Sequence, residues 1–232
     1  MFEISDEYTP LFEELRRRNV DQTRYYEVKG DIMYPSVTSV ISFISRKKFA
    51  DWRARVGEEA ANRKTKRATT RGTNLHSLFE VFLQNGDFKT TKEYDIPLIN
   101  LMFNSAKRQL TDRIGTIYQQ ETTMSSDRLC LAGTVDLICE FDGELSVVDF
   151  KTSEKEKPEA WLEDYFVQLS AYWAMFAERT GVVPKKLVVF LVAENGDVQI
   201  VERTNIMHYL TILNDYVNQF IRYRDGNPKR NQ

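Results

Sequence analysis

Cysteine and histidine are scarce in this chain, with two of each among 232 residues. Two cysteines exclude a four-cysteine zinc or iron–sulfur site within one chain. Cys130 and Cys139 are separated by an odd number of positions along one predicted strand, so they point to opposite faces and do not pair with each other. That fits a reducing cytosol. No run of about 18 apolar residues occurs, so no transmembrane helix is expected. The acidic, polar start MFEISDEYTP is not a secretory signal. The expected location is the cytoplasm. Long-period repeats and low-complexity segments are also missing. With 42% hydrophobic residues, the chain can bury one sizeable core, or one core with a helical appendage.

A large charge of one sign is lacking as well: the net is −2. Its distribution is uneven. Residues 46–71 hold ten cations (Arg46, Lys47, Lys48, Arg53, Arg55, Arg63, Lys64, Lys66, Arg67 and Arg71) against the three acids Asp51, Glu58 and Glu59. The local charge is therefore +7, which leaves −9 for the remainder. A basic segment on an acidic body suits a protein that guides a polyanion to one place; the plain alternative is a solvated helix face. Trp52 among Arg53, Arg55 and Lys48 could stack a base, or could anchor the helix in the core.

Periodicity and turn chemistry give the elements in order. Thr9-Pro10 opens a short helix over residues 11–18. Residues 22–29 read as a weak strand, followed by a turn at Gly30-Asp31. Ser36 caps a helix that begins at Val37; Ser36 and Thr38 could instead contact a phosphate. Residues 47–56 and 58–70 are helical with a break at Gly57. Residues 70–84 form a further helix ended by Gly86, on which His76 and Glu80, four apart, share one face. A surface pair is the plain reading of those two. A helix over 97–114, stopped by Gly115, precedes a strand over 117–124 that carries Glu121. After a hairpin comes a long aromatic helix over 158–179, with Gln168 and Tyr172 on one face. A second hairpin turns at Asn195-Gly196, with a type I′ geometry expected. A last helix covers about 205–223, and the tail 227–232 is expected to fray. The order predicts an α/β (α+β) core with a mixed central sheet flanked by helices and a helical N-terminal part.

The hairpin LCLAGTVDLICEFDGELSVVDFKTS is the informative stretch. Asp142-Gly143 is a strong two-residue turn signal. Phe141 then faces Glu144, and facing residues sum to 285. The ladder places Asp136 opposite Asp149, and Thr134 opposite Lys151 on the same face. Carboxylates so placed lie roughly 4.5–5.5 Å apart at Cβ and repel. A divalent metal and Lys151 would each make the pair tolerable. Aspartate is depleted in strands, so two in an apolar hairpin call for a functional explanation.

These motifs together resemble the PD-(D/E)XK nuclease superfamily, in its RecB-like exonuclease branch. The resemblance rests on Gly133-Thr-Val-Asp136, Asp149-Phe-Lys151-Thr-Ser, Gln168-Leu-Ser-Ala-Tyr172 and the upstream Arg71-Gly-Thr-Asn-Leu-His76 with Glu80. It covers about residues 34–180. Tyr34-Pro-Ser-Val-Thr38 and the RGT…H segment look most like the mitochondrial genome maintenance exonucleases and their phage-encoded relatives. Val135 stands where many members have proline before the first acid.

The resemblance implies a restriction-endonuclease-like core over 71–232, preceded by a part, 1–70, that carries the basic DNA-guiding segment. It implies a DNA exonuclease that depends on Mg²⁺ or Mn²⁺ and carries no iron–sulfur cluster. Asp136, Asp149, His76 and the Phe150 carbonyl would hold metal. Lys151 would orient the attacking water or stabilise charge at phosphorus. Glu80 would stand nearby, Glu121 would be a second-metal candidate, and Gln168 and Tyr172 would position the scissile strand. Arg71, Ser36, Thr38, Trp52, Arg53, Arg55, Arg63, Lys64, Lys66 and Arg67 would contact DNA, either single-stranded or with free ends. The motif style looks phage-like, which would put the protein in a host cytoplasm, in phage DNA replication, recombination or degradation. No membrane partner is expected, and a monomer is favoured over a ring. An endonuclease of the same fold and a catalytically silent DNA-binding module are the alternatives.

Overall fold

A computed structural model of the chain describes residues 1–21, 23–30 and 32–225. The expected strand start at Gln22, the Asp31 half of the Gly30-Asp31 turn, and the tail 227–232 lie outside the described residues.

Three strands open the fold: β1 (Arg16–Val20), β2 (Thr23–Lys29) and β3 (Ile32–Pro35), an antiparallel sheet in that order. The helix expected over 11–18 is absent. Thr9–Leu11 makes one 3-10 turn, and the chain then runs extended. The side chains explain why. The apolar stripe of Leu11, Phe12 and Leu15 ends after one turn, at Arg16-Arg17-Arg18, so a helix would have little to bury. Phe12 stacks on Phe176 instead, the Leu15 N–H donates to Thr123 Oγ1, and Arg18 pairs with Glu27 across the β1–β2 ladder.

From Val37 the chain is helical. α1 (Val37–Val56) begins at Ser36, whose hydroxyl accepts from the Ser39 N–H at 3.0 Å. Such a cap is worth about 1 kcal/mol. Gly57, at φ +84°, breaks the helix. α2 (Glu58–Leu83) then runs uninterrupted through residue 70, where two helices and a domain boundary were expected. α3 (Pro97–Arg113) leads into the main sheet.

That sheet has the order β4 (Ile114–Ser126), β5 (Leu131–Phe141), β6 (Glu144–Ser153), β7 (Lys186–Ala193) and β8 (Val198–Arg203). All neighbours are antiparallel except β6 and β7, whose parallel pairing needs a crossover. α4 (Glu163–Thr180) is that crossover. It starts later than expected, after a 3-10 turn at Glu159–Trp161, and ends on Gly181 in the left-handed region. α5 (Ile206–Asp225) closes the chain. At Asn195-Gly196 only the glycine takes positive φ, +90°, so this turn is not the expected type I′.

The apolar residues divide by strand face. Val135, Ile138, Val147 and Val189 pack with α1, α4 and α5 on one side of the sheet. Leu137, Val148, Phe150 and Phe190 pack with α2 and α3 on the other. Every residue of β7 is buried, as expected of an interior strand covered on both faces. Cys130 is exposed just before β5, Cys139 is buried within it, and both thiols are free. No helix of the described residues is long and apolar enough to cross a membrane.

Candidate functional site

The Asp142-Gly143 turn forms as expected, with φ of +52° and +75°. The ladder keeps the 285 pairing from Phe141↔Glu144 to Leu137↔Val148 and stops there. Asp136 and Asp149 fall one step past its end, and the expected Thr134–Lys151 rung does not form. Two observations explain the opening. Asp136 Oδ2 accepts the Phe150 N–H at 2.8 Å, so a side chain takes the place of a backbone rung. β6 meanwhile continues against β7 as far as Ser153↔Ala193. Thr134 bonds Tyr26 of β2 instead, with the two hydroxyls 3.2 Å apart.

β5 also changes face here. Val135 packs on the α4 side and Leu137 on the α2 side, although residues two apart in a regular strand share a face. The facing position in β4 is equally irregular. Glu121 stands between the pairs Gln120↔Leu137 and Thr122↔Val135 and holds φ +48°. Such irregularities re-aim side chains.

The result is a convergence at the open end of the hairpin. His76 of α2 brings Nδ1 to 3.8 Å from Asp136 Oδ2 and 4.0 Å from Glu121 Oε1. Ligand-capable atoms of His76, Glu121 and Asp136 lie within 4.8 Å of one another. His76 Nε2 is 2.8 Å from the Phe150 carbonyl oxygen. A carbonyl only accepts, so Nε2 carries a proton and Nδ1 is aimed at the acids. Burial pulls the imidazole pKa down, but the nearby carboxylates of Glu121, Asp136 and Asp149 outweigh it and Lys151, raising it to about 9.

Asp149 belongs to a second, adjoining set. It is 1% exposed, against 36% for the Glu121 side chain. Its Oδ1 accepts from Gln168 Nε2 at 2.9 Å and its Oδ2 is ion-paired with Lys151. Burial pushes the Asp149 carboxyl upward, Lys151 draws it down, and Asp136 adds to the rise; the net is upward. On Lys151 burial acts downward and is outweighed by Asp149 and Asp136, so the ammonium holds its proton more firmly than usual. The Lys151 ammonium also lies 5.1 Å from the Tyr165 ring centroid.

Tyr172, 2% exposed, packs directly over Gly133: a Cβ on that glycine would come within 2.8 Å of the ring. Glu80 is partly buried beside Glu121, and burial and that charge both raise its pKa.

The sequence-predicted residues thus divide. His76, Asp136, Asp149, the Phe150 carbonyl, Lys151, Gln168, Tyr172 and Glu80 come together. The tight acid cluster around His76 contains Glu121, and Asp149 stands in the adjoining set. The Phe150 carbonyl is engaged by His76. The DNA-contact residues are dispersed. Ser36 is buried and commits its hydroxyl to the α1 cap, so it presents no surface to a phosphate. Thr38 lines a cleft of about 400 Å³ with Arg24, Ser42 and Tyr223. Arg71 is buried and, with Arg67, ion-paired to Glu194; it too is withheld from a phosphate as placed. Trp52 stacks on Phe49 with centroids 5.3 Å apart. Arg53 pairs with Glu58, and Arg63 with Glu59. Arg55, Lys64 and Lys66 are exposed and, among the described residues, have no carboxylate in ion-pair range. Sequence reasoning passed over Tyr26, Tyr165 and Lys157. Tyr26 had no signal, because its strand is remote in sequence from β5.

The donor set fits a hard divalent cation: two carboxylates and an imidazole nitrogen converge. Over 132 residues the chain is 27% identical to human mitochondrial genome maintenance exonuclease 1, covering 53% of this chain and 38% of that protein. It spans well under half that relative's length. A crystal structure from Eubacterium rectale named "putative exonuclease" shares 15% identity at a TM-score of 0.49, over 68% of each chain. Residues 49–223, which contain the whole of this site, match the PD-(D/E)XK nuclease superfamily, and the chain belongs to that family.

Proposed function

We propose that this protein is a metal-dependent DNA exonuclease that hydrolyses phosphodiester bonds at strand ends, with its centre at the open end of the β5–β6 hairpin. The observation that carries the reading is the convergence of His76, Glu121 and Asp136 beside the Asp149–Lys151 pair. In this reading His76, Glu121 and Asp136 hold Mg²⁺ or Mn²⁺, with Asp149 and the Phe150 carbonyl adjoining. A bound divalent ion supplies charge relief to the phosphoryl oxygens and lowers the pKa of water.

The chain's own residues do the rest. Phe150 fixes the His76 tautomer through its carbonyl. Lys151, held by Asp149 and flanked by Tyr165, places a fixed positive charge where negative charge grows on the phosphoryl group. Gln168 orients the Asp149 carboxylate. Tyr172 seals the floor over Gly133. The exposed, unpaired Arg55, Lys64 and Lys66 support the guidance of a polyanion along α1 and α2.

Digestion of end-labelled linear and circular DNA, single- and double-stranded, with Mg²⁺, with Mn²⁺ and with chelator tests the reading. We expect metal-dependent loss of label from linear DNA, intact circular single strands, and no cleavage by Asp149→Ala. Cleaved circles would make the protein an endonuclease. Full activity in Asp149→Ala, or in chelator, would remove the site from the reaction.

A further inference from the structure

The loop between β6 and α4 holds a lysine that the centre described above does not use. Lys157 is fixed at three points. Its N–H donates to Gln199 Oε1 at 3.0 Å, and its carbonyl accepts from Gln199 Nε2 at 2.8 Å, so one amide of β8 clamps both sides of its backbone. Its ammonium donates to the Tyr165 hydroxyl at 2.6 Å. The side chain is half-buried, while Glu154, Lys155 and Glu156 before it are exposed. Among the described residues no carboxylate lies within ion-pair range of it, and Glu159, the nearest acid to follow, is paired with Arg203. Ordering a lysine side chain costs rotamer entropy. Here that cost is met without a counter-charge.

The same tyrosine ring carries both lysines. Its centroid is 5.1 Å from the Lys151 ammonium and 4.9 Å from that of Lys157. The two charges therefore lie no more than about 10 Å apart, close enough to engage neighbouring phosphates of one strand. The Lys157 ammonium keeps two further donors, and the Tyr165 hydroxyl can itself donate to an anionic oxygen.

We infer that Lys157, presented by Gln199 and Tyr165, binds the phosphate next to the one attacked and so sets the register of the strand over Lys151. The inference rests on the nuclease reading, and its test separates the two. End-labelled single-stranded oligonucleotides, each with one uncharged methylphosphonate scanned across positions flanking the scissile bond, are cleaved by the wild type and by Lys157→Met. With the wild type, neutralising one particular neighbouring phosphate lowers kcat/KM by roughly tenfold, the worth of one charge-assisted contact. Lys157→Met loses a similar factor on the unmodified strand and no more when that phosphate is neutralised; Lys157→Arg recovers most of the rate. Thermal midpoints are followed in parallel, and Lys157→Gln replaces the methionine variant if that one does not fold. A purely structural lysine would lower the rate on every substrate alike and leave the wild-type pattern of sensitivity intact. That pattern, or an undiminished rate in Lys157→Met, overturns the inference. Absence of wild-type cleavage of the unmodified strand is a different result: it removes the nuclease reading, and this inference with it.

Discussion

The two ends of the β5–β6 hairpin use the same kinds of residue to opposite effect. At the turn, the ladder is continuous and each acid named has a basic partner. Arg113 pairs with Asp142 at 2.8 Å, and Lys186 with Glu202 at 2.8 Å and Glu144 at 3.7 Å. At the open end the ladder has ended, and four acids, Glu80, Glu121, Asp136 and Asp149, crowd around one lysine and one histidine. Lys186 is the more buried lysine, with 6% of its side chain exposed against 21% for Lys151. Burial of a charge therefore does not distinguish the two ends. An excess of carboxylate where backbone pairing has been released does.

The largest expected effect breaks the comparison directly. Lys151→Met and Lys186→Met both delete a buried ammonium and leave acids behind. Only Lys151→Met should lose the hydrolytic rate, by roughly 10²–10⁴-fold, the range for removing a positioned catalytic group. Lys186→Met should cleave as the wild type does while losing about 1–2 kcal/mol of stability, a modest sum because Glu144 and Glu202 can turn to solvent. Urea midpoints with single-turnover rates on both variants measure it. Equal rate losses would mean that the two ends are one electrostatic unit.

Much of this site is legible in the sequence, and the rest depends on contacts that sequence spacing does not carry. Asp142-Gly143 fixes a local positive-φ turn, so the register through Leu137↔Val148 follows by counting. Where the ladder ends does not follow, because the Asp136 side chain captures a β6 amide and β6 changes partner to β7. Glu121 is legible as a second-metal candidate one strand over, but its place opposite Asp136, where β4 and β5 partners sum to 257, follows only once the β4–β5 loop is known. The misread segment over 11–18 has helix-favouring glutamates, leucines and arginines. Contacts with Phe176, Thr123 and Glu27 outweighed that propensity. The clamp between Lys157 and Gln199 joins residues 42 positions apart and leaves no periodic trace.

A second expectation concerns shape at the open end. In Gly133→Ala the new Cβ would stand 2.8 Å from Tyr172 Cε1 and 2.9 Å from its hydroxyl oxygen, and the ring is buried. Tyr172 must shift, at a cost of about 1–3 kcal/mol from overpacking. Cleavage should fall with it, because the displaced ring lies beneath the acids. Gly72→Ala is the contrasting change. Its Cβ would meet only Thr152 Oγ1, at 3.7 Å, inside helix α2. Removing a helical glycine there should raise stability by roughly 0.5–1 kcal/mol. Thermal midpoints of opposite sign for the two alanines would locate the tight packing at Gly133; destabilisation by both would place it on α2 as well.

The smallest effect belongs to the turn itself. Gly143 sits at φ +75° with open space where a Cβ would be. Gly143→Ala therefore meets backbone strain and no clash, and should lower stability by about 1 kcal/mol. The ladder between turn and centre is continuous, and Arg113 still holds Asp142 from outside the hairpin. Strain at the turn should thus dissipate before Leu137↔Val148, leaving kcat/KM unchanged. If Gly143→Ala slowed cleavage as much as Gly133→Ala, the rungs between would be transmitting the turn's geometry to Asp136 and Asp149. The hairpin would then be one lever, and the contrast between its closed and open ends would be a matter of charge alone.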